Sequence, residues 1–331
     1  MKTIHSLLVC IVIFGACSKK TDVLNTNSTN NPTNPTTTFV DTIAAGWTKM
    51  YLPSQYNMDV CFTDDLTGYI AGSANFFKTT DGGATWSSIA PITNDVFYNI
   101  SSTPNGKIFM LSRNPTPVLA SSDGCASFDS IHLTGSHVAR DAFFITDDIG
   151  YIIGKSELFK TTDAGITWTK SLPTGLNYTQ QYTSSLFFLD NTTGWIVNGH
   201  FVYRSNGSAD AWLAATFNTA PTQDFSAVYA TNTNTVYAVT RGGEIYKSIN
   251  GGANFSLLTI LPGKDDYADI IFIDNYTGYA CHANKIYKTT DAGSSWQNVV
   301  TISTDIWELQ FNDLGHGWAV GDSGVVLTYH Q

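Results

Sequence analysis

The 331 residues carry 17 basic and 27 acidic side chains, a formal net charge of −10, which argues against a nucleic-acid phosphate backbone as partner. Of five cysteines, Cys10 and Cys17 stand near the N-terminus; Cys61, Cys125 and Cys281 form no CxxC pair and, being odd in number, no disulfide framework. They read as small buried apolar residues rather than zinc ligands, whose spacings are absent.

The chain opens with Lys2, an apolar run from Leu7 to Phe14, and then Gly15, Ala16 and Cys17. That is the order of a secretory signal, and the run is too short to span a bilayer. The stretch FGAC at 14–17 resembles a bacterial lipobox, with Phe14 where Leu is usual. The resemblance implies a signal peptide over 1–16 and lipid attachment at Cys17; an ordinary signal cut near Ala16 is the alternative. Residues 18–38, SKKTDVLNTNSTNNPTNPTTT, are nearly all Thr, Asn, Pro and Ser. Such a composition cannot bury enough apolar surface to order itself and predicts a flexible tether over 17–38.

From residue 39 onward one phrase recurs: KTTDGGATW at Lys78, KTTDAGITW at Lys160 and KTTDAGSSW at Lys288. Weaker copies are SSDGCASF at Ser121, SNGSADAW at Ser205 and SINGGANF at Ser248. The closing aromatics fall at Trp86, Phe128, Trp168, Trp212, Phe255 and Trp296, with spacings of 40 to 44 residues, and Trp47 lies 39 before the first. Ahead of each phrase stands an apolar run, a turn, a Gly-aromatic pair and a second run, as in VCFTDDLTGYIAG at Val60 and IIFIDNYTGYACH at Ile270. Seven such bodies can be counted, and the last, ending VVLTYHQ, runs out of chain before its aromatic. A period near 40 built from short strands predicts an all-β, seven-bladed propeller of four-stranded blades over 39–331. The offset predicts that the Trp47 strand completes the last blade and removes two free sheet edges.

Within the phrase, Asp81 is placed to bond N–H groups of its own turn, Gly83 to take a positive φ, and Trp86 to cover the hairpin. The same roles fall to Thr161, Asp163, Gly165 and Trp168, and to Thr289, Asp291, Gly293 and Trp296, with Thr79 opening the first copy. Asp123 and the pair Asn250 and Gly252 keep part of the pattern. An Asx turn explains these carboxylates without catalysis, as it does the doublets Asp64-Asp65 and Asp147-Asp148, which lack the alternating ligands of a calcium loop.

The pattern Ser/Thr-x-Asp-x-Gly-x-Thr-Trp is similar to the Asp box, or BNR repeat, of sialidases, sortilin-type receptors and xyloglucanases, where it lies away from the site. The longer phrase GYIAGSANFFKTTDGGATW resembles the photosystem II assembly and stability factor family of propellers. That resemblance implies a non-enzymatic assembly or interaction factor. It also implies an arginine-rich patch, whereas this chain has only Arg113, Arg140, Arg204 and Arg241.

Aligning the repeats on their Gly-aromatic pair puts Asp59, Asn99, Asp141, Ser185, Ala227, Asp269 and Glu308 at one position, expected just before each inner strand. If they ring the channel mouth they focus negative potential and favour cations or a basic segment; otherwise they are ordinary solvated strand-start residues. The neighbouring loops carry Tyr56, Tyr98, Tyr178, Tyr182, Phe225, Tyr267 and Trp307, suited to protein recognition or sugar stacking, or to packing between blades. His200, His282 and His316 occupy different repeat positions and lack metal-ligand spacing. No nucleotide loop, nucleophile elbow or redox motif is present, and no cofactor or metal is expected. The expected partner is a membrane or periplasmic protein met outside the cytoplasm, with a glycan as the alternative and no nucleic acid. Membrane contact is expected through the N-terminal lipid only.

Overall fold

The computed structural model describes residues 40–331 apart from 74, 90–95, 113–117, 135–138, 155–156, 172–173, 177–182, 208–210 and 265, and the side chains of 183 and 184. Cys17, Arg113, Tyr178 and Tyr182 lie outside the described residues. The described residues form seven antiparallel blades and no helix. The inner strands are Asn57–Phe62, Phe97–Ser102, Ala139–Phe144, Thr183–Phe188, Phe225–Ala230, Ala268–Phe272 and Ile306–Phe311, each packed on the next and the last on the first. The protein is a seven-bladed β-propeller. Its seventh sheet runs Ile306–Phe311, His316–Gly321, Val325–His330, Trp47–Tyr51, with Trp47 opposite Tyr329 and Tyr51 opposite Val325. Two sheets carry a fifth, two-residue edge strand, Thr42–Ile43 on Gln297–Thr301 and Thr216–Phe217 on Asn254–Ile260.

The Gly-aromatic pair turns out to be the joint between blades. In five of the seven blades the Phe that ends the inner strand folds over the Gly that opens its neighbour in the same sheet: a Cβ on Gly68 would lie 2.5 Å from the Phe62 ring, and one on Gly150 2.4 Å from that of Phe144. Where the next blade carries that Phe, the aromatic that follows the Gly stacks on it. Tyr151 lies 4.2 Å from Phe188, Tyr279 4.0 Å from Phe311, and Trp318 of the last blade 3.4 Å from Phe62 of the first. Each such pair adds about 0.5–1.5 kcal/mol beyond the area it buries. Second strands such as Gly68–Gly72 and Gly150–Gly154 are buried along their whole length, which is why they read as unbroken apolar runs.

The repeated phrase closes the third-to-fourth strand turn as expected. Thr79 Oγ1 accepts the Gly83 N–H at 3.0 Å and donates to Asp81 at 2.7 Å, while Asp81 accepts the Thr85 N–H at 2.9 Å. Thr161, Asp163 and Gly165 repeat this, as do Thr289, Asp291 and Gly293, and Ser248, Asn250 and Gly252. In the Asp123 copy Cys125 accepts a φ of 69° where the others place glycine. Trp86, Trp168 and Trp296 meet Phe62, Phe144 and Phe272 edge-on at 5.8, 6.0 and 6.2 Å. The phrase also reaches across blades: Lys78 Nζ donates to the Gly124 carbonyl at 2.8 Å and lies over the Tyr69 ring. The three cysteines are free and buried, and burial pushes the Cys61 and Cys125 thiols up to about 12. Asp64 accepts the N–H groups of Leu66 and Thr67 in an Asx turn.

Candidate binding site at the channel mouth

The aligned ring residues lie within the inner strands rather than before them, Asp59 and Ala227 buried and the other five partly buried. They sit inside the inner strands, and six of the seven positions coincide with a break in register: Asn57 faces Gly72 but Asp59 faces Ala71, with equivalent shifts before Asn99, Asp141, Ser185, Ala227 and Glu308. One extra residue in a strand bends it and frees consecutive side chains from strict alternation. As a result Met58 and Asp59, Tyr98 and Asn99, Arg140 and Asp141, and Trp307 and Glu308 line the same cavity. This cavity has a volume of about 230 Å³ and is walled by all seven ring positions.

Buried strand interiors explain why the ring residues bond backbone. Asp59 accepts the N–H of Val60 at 2.6 Å and, from the neighbouring blade, that of Ile100 at 2.8 Å. Asp141 likewise takes Ala142 and, one blade on, Leu186; Asp269 takes Ile270 and Leu309. The Asn99 amide donates to both Asp59 and Asp141, at 2.9 and 3.0 Å. These carboxyls therefore lace adjacent inner strands around the channel. Burial, the largest influence on each, lifts Asp141 to about 7 and Asp269 to about 6 and pushes Asp59 and Glu308 well above the usual carboxylate range. A hydrogen bond from Glu308 to Asp269 and the neighbouring carboxylates hold the proton on Glu308. The negative potential expected of a fully ionised ring is correspondingly reduced at neutral pH.

Of the aromatics, Tyr98, Tyr267 and Trp307 line the cavity. Tyr56 lies tilted against Trp307 at 5.6 Å, and Tyr267 meets Trp307 edge-on at 6.3 Å. Phe225 is fully buried against Phe217 and Tyr246 and belongs to the packing between strands. The histidines are not gathered: His282 is buried with Nε2 on the Arg241 carbonyl, His200 pairs with Asp224, and His316 sits at the other end of the blades beside Asp313 and Asp65. Sequence alignment by repeat missed Arg140 and Arg241, which both line the cavity. Arg140 occupies the bulge position of its own blade only, and Arg241 stands just after a second strand, its guanidinium 4.6 Å over the Tyr267 ring; neither is repeated, so the period gives no signal for them.

The Asp boxes lie at the opposite end of the blades, where the Gly82 N–H bonds the Leu66 carbonyl of the first turn. Fold, turn chemistry and channel together define a BNR-type propeller. The family model described as photosynthesis system II assembly factor YCF48 matches residues 126–260. A structure described as YCF48 bound to D1 peptide is 19% identical, with a TM-score of 0.72, over 88% of this chain and 97% of that one. YCF48 from Cyanidioschyzon merolae is 19% identical, with a TM-score of 0.69, over 86% of this chain and 99% of that one. The same architecture is found in virginiamycin B lyase from Staphylococcus aureus, 10% identical with a TM-score of 0.71, covering 86% of this chain and 99% of that one. No curated protein matches. Over residues 126–260 the chain thus resembles the photosystem II assembly factor family that the repeated phrase also resembles, and it shares the propeller fold of the YCF48 structures.

Proposed function

We propose that this is a non-catalytic propeller, lipid-anchored through Cys17 outside the cytoplasm, that binds a membrane or periplasmic protein at its channel mouth as an assembly factor. The observation that carries the reading is the cavity itself: aromatic side chains stand at its rim over a polar floor whose carboxyls are committed to holding blades together. Clustered aromatics around a polar pocket suit a protein anchor. One structurally similar propeller is described as bound to a peptide, which supports this use of the fold. In the test, Trp307→Ala with Tyr267→Ala is compared with Ile166→Ser, a change at the Asp-box end, for partner co-purification from solubilised membranes. Losing a central aromatic anchor costs about 2 kcal/mol or more, about thirtyfold in affinity; capture unchanged by the aromatic pair removes the reading. The row Tyr56, Trp307 and Tyr267 also favours a second reading, a glycan-binding site. Binding of oligosaccharides with no protein capture would replace the first reading by the second. Anchoring is tested by Cys17→Ser, which is expected to abolish incorporation of labelled fatty acid.

A further inference from the structure

Asp59, Asp141, Asp269 and Glu308 converge on one cavity. Among the described residues no Lys, Arg or His forms an ion pair with any of them. Arg241, the cavity's guanidinium on the fifth blade, is held over the face of Tyr267. Buried carboxyls normally have a cationic partner or carry a proton. The floor is also rich in acceptors: the Asn99 side-chain oxygen is buried with no donor although its nitrogen serves two aspartates. Above the floor, Tyr98, Tyr267 and Trp307 offer faces along which an aliphatic stem can pass. Tyr267 remains 52% exposed, so the mouth is open to a chain from outside.

Resting on the proposed role as a protein binder, we infer that the channel mouth takes a basic side chain, a lysine or arginine of the partner, whose charged head reaches the Asp269–Glu308 pair and the Asn99 oxygen. The ligand supplies the ion-pair partner that these carboxyls do not have among the described residues. Its stem lies between the rim aromatics, and the flanking residues meet the loops around the mouth. Arg140 and Arg241 bias the same opening against a second positive charge, so one basic residue is selected rather than a polybasic run.

The test uses purified full-length chain and the blocked pentapeptides Ac-Ala-Ala-X-Ala-Ala-NH2 with X as Lys, Gln or Glu, measured by calorimetry. The expected result is Lys binding at least tenfold tighter than Gln or Glu, with n-butylamine competing. Asp269→Asn should erase most of that preference, and Arg241→Gln should tighten the Lys peptide by removing a like charge. Circular dichroism checks that both variants keep their strands, and Asp141→Asn serves as a third probe of the same floor. Equal binding of Lys and Gln peptides, preference for the Glu peptide, or no binding of any of them overturns the inference. Cross-linking in the native membrane separates this failure from that of the parent reading: protein cross-links at the mouth without a Lys preference sink the basic-anchor idea alone.

Discussion

Trp47→Ala tests how much of the stability rests on the strand nearest the N-terminus. Trp47 is 7% exposed and packs at 6.3 Å on Tyr279, 5.9 Å on Phe311 and 5.2 Å on Tyr329, in the core between the sixth and seventh blades. Truncating a buried Trp to Ala costs about 3–5 kcal/mol through lost transfer energy and an unfilled cavity. Trp86, at the equivalent place in the first blade, is half-buried and meets Phe62 alone among the aromatics, so Trp86→Ala should cost about half as much. At about 2–4 °C per kcal/mol for a chain of this size, Tm should fall by roughly 10 °C for Trp47→Ala and about 5 °C for Trp86→Ala. The assay is thermal and urea unfolding followed by far-ultraviolet circular dichroism, since fluorescence would change with the tryptophan count. Equal losses for the two variants would refute the argument, because the Trp47 strand would then not be a working part of the seventh sheet.

Gly165 has φ +75°, and a Cβ there would lie 2.6 Å from the Phe109 ring, whereas Gly207, at φ +77°, has nothing within 4 Å. Gly207→Ala should therefore cost only the left-handed strain, about 1 kcal/mol, and Gly165→Ala clearly more, as unfolding midpoints will show. The pH dependence has two arms. Asp141 at about 7 and Asp269 at about 6 lie above the unfolded value of about 4, so the fold holds extra protons, and stability falls as pH rises through that window. Asp81 and Asp291, held near 2 chiefly by the hydroxyls of Thr85 and Ser295, contribute stability that is lost as pH falls below about 4. Tm should pass through a maximum near pH 4–5, and a plateau from pH 5 to 8 would contradict the burial of the ring carboxyls.

Architecture was legible because most blades repeat one or both of the same two joints. The Asp-box turn needs its Thr or Ser, Asp or Asn and left-handed residue at fixed spacing, and the Phe-over-Gly stack needs a Gly-aromatic pair. Physical constraints that each recur in five blades leave a period. The ring position was legible for the same reason, since Asp59, Asp141 and Asp269 all lace a strand to its neighbour. Their burial was not, because an Asp inside a bulged strand and an Asp at a strand start look alike in sequence. Arg140 and Arg241 were noted as arginines but not placed at the site, since a binding site is built from what differs between blades, and each appears there once. Lys78 was read only as part of the phrase, although its ammonium reaches the next blade, a contact visible only once the blades are packed.

The most direct test of the channel mouth as the partner site is chemical cross-linking of the tagged full-length protein in its own membrane, with the linked residues mapped by mass spectrometry. Links from the loops around Asp59, Tyr267 and Trp307 to one protein are the predicted result. Links confined to the Asp-box end near Leu66 and Ile166, or a mouth without protein links, would contradict it.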